Sequence, residues 1–286
     1  MADRIGRAAW ALGGAALAVS MSSAAREEPL WEAGVGVAAL SFPDYRGSDQ
    51  SRVYAFPSPY FVYRGNVVKA DRNGLRSMLF DSDRVDLNLS IGASLPVSSS
   101  KNHAREGMAD LKPALEAGPS LEVTLARADD RRWNLDFRLP VRAAVSVERE
   151  PRYVGTQLFP HLNVDVHDPF GFTGWALGVL AGPVFTDGRY NRYFYSVAPQ
   201  YATATRPAYE ARGGFAGTEF VIGASKRFPK YWIGAFFRAD SLHGAKFEDS
   251  PLVTSKHYVA GGIGISWILG ESEKRVPVDA YGESPR

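Results

Sequence analysis

Between residues 84 and 148 the chain repeats one two-residue rhythm three times. Val85, Leu87, Leu89, Ile91, Ala93 and Leu95 alternate with Arg84, Asp86, Asn88, Ser90, Gly92 and Ser94. In an extended strand this puts every apolar side chain on one face and the polar ones on the other. Leu115, Ala117, Leu121, Val123 and Leu125 repeat it against Glu116, Gly118, Ser120, Glu122 and Thr124, as do Trp133, Leu135, Phe137, Leu139, Val141, Val145 and Val147 against Asn134, Asp136, Arg138, Arg142, Ser146 and Glu148. Similar segments follow around Leu158–Val166, Trp175–Phe185, Phe220–Ala224, Tyr231–Phe237 and Val259–Leu269. Strands of soluble domains run about 5–6 residues, whereas a tilted strand that crosses a bilayer needs roughly 9–11. The longer segments predict an all-β fold, an antiparallel transmembrane β-barrel, with glycine and serine on a confined inner face.

Connections alternate in length and so orient the barrel. Residues 128–131, 168–171 and 229–230 are tight, while 96–112, 149–156, 187–212 and 243–255 are long. Short periplasmic turns and long external loops are the arrangement of outer-membrane barrels, which places the N- and C-termini in the periplasm. Eleven strands are evident, an odd number. Asn73-Gly74, flanked by Val67, Val68, Leu75, Met78 and Leu79, is a hairpin signal that splits 66–80 into two short strands and predicts twelve. The count is ten if that hairpin stays out of the bilayer, since each half falls short of a crossing.

Composition narrows the compartment. Arg4 and Arg7 precede an uncharged apolar stretch over 8–19, then Ser20, Ser22, Ser23, Ala24 and Ala25, which is the layout of a signal peptide cleaved after Ala25. Twelve apolar residues are too few to span a bilayer as a helix, and no later segment supplies about 18. There is no cysteine, so neither a disulfide nor a lipid-modified cysteine. Without residues 1–25 the chain keeps 31 basic and 30 acidic residues, a balance that gives no electrostatic case for nucleic acid. The organisation expected is a signal peptide over 1–25, one barrel domain over 26–269 and a polar C-terminal tail over 270–286 without regular structure.

Candidate chemistry is sparse. Trp31, Tyr60, Tyr63, Trp133, Phe170, Phe172, Trp175, Tyr231, Trp232 and Trp267 fall near strand ends, where girdles form. His161, Asp165 and His167 share a polar face but sit about 7 Å apart in sequence along a strand, so a hydrated lumen explains them better than a metal site. No G-x-S-x-G elbow occurs; the chain reads as a non-enzyme with no cofactor. Charges of both signs, Asp136, Arg138, Arg142, Arg238 and Asp240 foremost, lie on expected inner faces and are read as one cluster pairing across the lumen. That disfavours a wide porin and leaves a narrow diffusion channel as the alternative function.

The loops carry a resemblance. Tyr45-Arg46-Gly47-Ser48 with Pro57-Ser58-Pro59-Tyr60, then Arg206-Pro207-Ala208-Tyr209, then Arg238-Ala239-Asp240-Ser241-Leu242-His243-Gly244-Ala245 and Asp249-Ser250-Pro251, resemble the MipA/OmpV family of outer-membrane proteins over about 31–269. The resemblance implies an outer-membrane barrel and a scaffold joining a murein lytic transglycosylase to a bifunctional penicillin-binding protein. It singles out Tyr45, Gly47, Ser48, Arg206, Pro207, Tyr209, Asp249, Ser250 and Pro251 as loop residues of interest. These loops fall on the external side, so the tail is the largest periplasmic segment available to such a partner.

Overall fold

The structure, a computed structural model, describes residues 26–64, 68–71, 74–77, 80–82 and 84–278. The proposed signal peptide and residues 279–286 of the tail lie outside the described residues. Among the described residues no helix is long and apolar enough to cross a membrane.

The chain is an antiparallel meander. A short β1 (Arg26–Pro29) leads into β2 (Trp31–Pro43) and β3 (Ser51–Arg64), followed by the small β4 (Val68–Asp71), β5 (Gly74–Ser77) and β6 (Phe80–Asp81). Then come β7 (Val85–Ser94), β8 (Ala114–Arg127), β9 (Trp133–Ser146), β10 (Tyr153–Leu158), β11 (His161–His167) and β12 (Trp175–Thr186). After α1 (Gly188–Tyr195) the chain closes with β13 (Gly214–Arg227), β14 (Tyr231–Ser241), β15 (His257–Glu271) and β16 (Arg275–Val278). Each long strand pairs with its sequence neighbour, and β15 returns to pair with β2, with Ile265 opposite Val37. β10 and β11 are broken at Phe159-Pro160, where proline brings no donor. Both halves lie between β9 and β12, so they act as one position in the wall.

The expected hairpin after β3 is present. β4 and β5 pair from Val68 opposite Ser77 to Asp71 opposite Gly74, so Gly74 closes the turn and does not form its tip. The described ladder ends at β5 on one side and at β6 on the other, and Cα atoms of β5 and β7 come within 8 Å. β4 covers only Tyr63 and Arg64 of β3, so Pro57 and Pro59 sit where the described ladder asks for no second set of donors.

Burial along the wall is inverted relative to a soluble sheet. Ile91, Leu115, Leu121, Leu125, Phe220 and Phe237 are exposed, and Ile263 and Leu269 are 66% and 71% exposed. Asp86, Asn88, Glu116, Ser120, Asp136 and Asn163, their neighbours in the alternation, are buried. The apolar core instead gathers at the long-loop end, from Tyr45, Val97, Leu111, Tyr190, Phe194, Tyr195, Leu242 and Phe247 among others.

The tail departs from its expectation. β15 runs on to Glu271, and Arg275–Val278 pairs with Arg26–Pro29 as a two-stranded ribbon at the opposite end. Polar composition alone hid the alternation that leaves Val276 half-buried and Val278 fully buried.

Candidate functional site

Ionic side chains line the buried polar face of the sheet in three groups between its loop end and its turn end. Nearest the loop end, Asp240 on β14 is fully buried and takes Arg238 Nε at 2.6 Å and Arg46 Nε at 2.9 Å. Arg238 also reaches Glu219 Oε2 at 2.8 Å, and the Tyr258 hydroxyl donates to Asp240. Further down, Arg138 lies 3.3 Å from Asp136, 3.4 Å from Asp165 and 3.6 Å from Glu122. Asn134 and Thr124 both donate to Asp136, at 2.6 and 3.0 Å. At the turn end, Glu32 is ion-paired with Arg64 at 2.9 Å and accepts from Arg227 at 3.0 Å and the Tyr60 hydroxyl at 3.2 Å.

The five charges read from the sequence as one cluster are therefore divided. Asp136 and Arg138 belong to one group and Arg238 and Asp240 to another, while Arg142 donates to Ser90 Oγ at 2.8 Å. The expected pairing across the interior is not made by Arg138, which binds side chains of β8, β9 and β11, or by Arg238, which binds those of β13, β14 and β15, but Arg227 of β13 does reach Glu32 of β2 past two intervening strands. Neighbouring strands lie about 5 Å apart, within reach of one guanidinium, so lateral partners are met before any opposite wall.

What occupies the loop end is a packed cap, which sequence reasoning missed. α1 falls inside the segment 187–212 read as a long loop. Asp187 caps it by accepting the Tyr190 N–H at 2.7 Å, and Tyr190, Asn191, Phe194 and Tyr195 form its buried face. The signal was present as apolar residues spaced for a helix, but over only eight residues. From that face the Tyr190 hydroxyl donates to Glu116 Oε1 on the wall at 3.0 Å. Tyr195 stacks on Phe247 with ring centroids 3.7 Å apart and donates to the Arg46 carbonyl at 3.0 Å.

The loop residues singled out beforehand mostly hold this cap together. The Tyr45 hydroxyl donates to the Leu252 carbonyl at 2.7 Å, and Ser250 Oγ donates to the Tyr195 carbonyl at 2.7 Å. Gly47 has φ 95°, and a Cβ there would stand 2.9 Å from Leu242 Cδ1. Its carbonyl accepts the N–H groups of Thr254 and Ser255 at 2.8 and 3.0 Å. Ser48 Oγ accepts from the Asn102 amide at 3.1 Å. Arg206 donates to the carbonyls of Ala104, Glu106 and Tyr201, and Tyr209 bridges Val197. Pro207 and Asp249 are exposed and Pro251 half-buried. Burial pushes the Tyr45, Tyr190 and Tyr195 phenols above their ordinary range, so the cap holds them neutral.

Aromatics gather at the turn end. Trp31, Trp133, Phe170, Phe172 and Trp267 are exposed there, whereas Tyr60 and Trp232 turn inward with ring centroids 6.5 Å apart. Trp232 lies over Gly234, where a Cβ would come within 2.2 Å of its ring. His161 donates to, or accepts a contact from, nothing resembling a ligand set: its Nδ1 meets the Phe159 carbonyl at 2.8 Å and its ring stacks on Phe159.

A family model described as MltA-interacting protein MipA matches residues 35–269. The chain belongs to the MipA family. The matched span begins inside β2 and ends inside β15, so it takes in most of the wall, the Asp240 and Arg138 groups and the whole cap, and leaves out Glu32 of the turn-end group and the terminal ribbon. No curated protein sequence matches the chain significantly. Among solved structures, it is similar to a bacterial polysaccharide outer membrane secretin at 8% identity and a TM-score of 0.40, covering 84% of this chain and 99% of that one. It is also similar to outer membrane phospholipase A from Escherichia coli at 12% identity and a TM-score of 0.32, covering 84% and 94%. A FadL homologue from Pseudomonas aeruginosa follows at 9% identity and a TM-score of 0.28, covering 84% and 90%.

Proposed function

We propose that this MipA-family chain is a closed outer-membrane β-barrel, with both termini periplasmic, that serves as a non-catalytic scaffold for a murein lytic transglycosylase. What supports the reading is the family match over most of the sheet together with loops that pack into an apolar cap at one end of it. A wall with oily side chains outward and paired charges inward is what a bilayer requires of a sheet. In this reading the β4–β5 hairpin fills the gap between β3 and β7, giving twelve strands, and residues 1–25 are the export signal.

The periplasmic side would present the ribbon of β1 and β16 and the turns carrying Phe170 and Phe172, of which Phe170 is 93% exposed. The ribbon lies outside the family match, so a partner common to the family would use the turns, and a partner of this chain alone would use the ribbon. A bifunctional penicillin-binding protein would join through the transglycosylase. The test is capture of a purified murein lytic transglycosylase by the immobilised full-length barrel in detergent. Retention of the enzyme is expected, and loss of retention on changing Phe170 and Phe172 to serine would locate it. No retention by the unaltered barrel would overturn the scaffold.

A further inference from the structure

Where the β14–β15 loop meets β15, two of the chain's five histidines come together. His257 opens β15 opposite Ser241, and His243 stands two residues past the end of β14. Their Nε2 atoms are 2.8 Å apart, with ring planes at 52° and centroids 4.6 Å apart, and both side chains are exposed. The two Nε2 atoms thus stand at hydrogen-bonding distance from each other, on rings that both face solvent.

The geometry points to a two-imidazole site for a borderline divalent transition-metal ion, Cu(II) above all, on the outer face of the cap. Two metal–nitrogen bonds of about 2.0–2.1 Å meeting at a right angle span roughly 2.9 Å, against about 3.4 Å at the tetrahedral angle. The observed 2.8 Å fits the former, the cis arrangement of tetragonal Cu(II) or Ni(II), and the affinity order among divalent ions also places copper first. Among the described residues no group of three or more His, Cys, Asp or Glu is placed to hold a metal, so water completes the coordination.

The site is held ready by the loop beneath it. Leu242, Ala245 and Phe247 are buried in the cap, and the Leu242 N–H donates to the Lys256 carbonyl at 2.8 Å across the loop's neck. Lys256 would repel a cation, but its ammonium is paired with Glu248 Oε2 at 3.2 Å. The same oxygen accepts the Gly244 N–H at 2.9 Å.

The test uses the full chain folded in detergent micelles, titrated with copper(II) sulfate and followed by electron paramagnetic resonance and calorimetry. One equivalent of Cu(II) should bind with hyperfine structure from two nitrogens, with Zn(II) weaker and Ca(II) without effect. Because loss of a partner that merely orients a ligand already costs about 10–100-fold, H243A or H257A should weaken binding at least that much. Heat-modifiable migration on gels verifies that each variant is folded. H103A, on a different loop where His103 lies 3.6 Å from Asp49, should bind as the unaltered chain does. Absence of a bound copper signal, or equal binding after removal of either His243 or His257, would overturn the assignment and leave a simple N–H···N contact.

Discussion

At the scale of single residues, the inner face depends on completed ion pairs. Asp240 is enclosed by Arg46, Arg238 and Tyr258, and without its carboxylate two guanidinium groups would face each other in a buried site. Breaking a buried pair from one side costs about 3–5 kcal/mol, so Asp240→Ala should lower stability by that order in urea titrations on vesicle-inserted protein. Asp130, exposed and 3.1 Å from Arg132, provides the contrast: Asp130→Ala should stay within about 0.5 kcal/mol. The buried phenols make a pH prediction. Their folded pKa values lie above the ordinary 10.0, so the stability that Tyr45 and Tyr195 contribute is complete below pH 10 and declines as pH rises beyond it. Tyrosinate absorbance should show these two phenols ionising late, together with protease access to the cap; ionisation at the ordinary value would contradict their enclosure.

At the scale of elements, the strands were legible because period-two alternation is a local property, visible in any ten residues of β7 or β9. The inversion of that pattern, Ile263 outward and Ser266 inward on β15, is what a bilayer imposes. Ile263→Arg should therefore cost about 2–4 kcal/mol in a bilayer if it lies near the midplane, measured by reversible unfolding from vesicles. On a soluble protein an exposed isoleucine would tolerate arginine within about 0.5 kcal/mol, and that result would remove the lipid from the account. α1 was less legible, since its two turns have no meaning until loops from three other connections supply the surface that Tyr190, Phe194 and Tyr195 bury against. The ribbon was missed for the same reason: β1 and β16 are each four residues long, and only their pairing across the length of the chain gives either a partner. Partition of the charges was likewise hidden, because alternation tells which face a residue is on but not its height along the wall.

At the scale of the whole molecule, the proposed barrel has two candidate obstructions to solutes, the ionic groups and the cap, and the geometry ranks them. Arg138 draws Glu122, Asp136 and Asp165 against the wall from adjacent strands, so this pairing narrows the passage without bridging it. The cap brings Tyr190 into contact with Glu116 and fills the loop end with aromatic rings. Planar-bilayer conductance of the unaltered barrel should be small, and changing Asp136 and Arg138 together to alanine should leave it nearly so. Replacing residues 188–212 with a short turn removes α1 and should produce steady current, provided heat-modifiable migration shows that the wall still folds. Current from the alanine pair and none from the loop replacement would reverse the ranking, making the charges the plug and returning the narrow diffusion channel to first place.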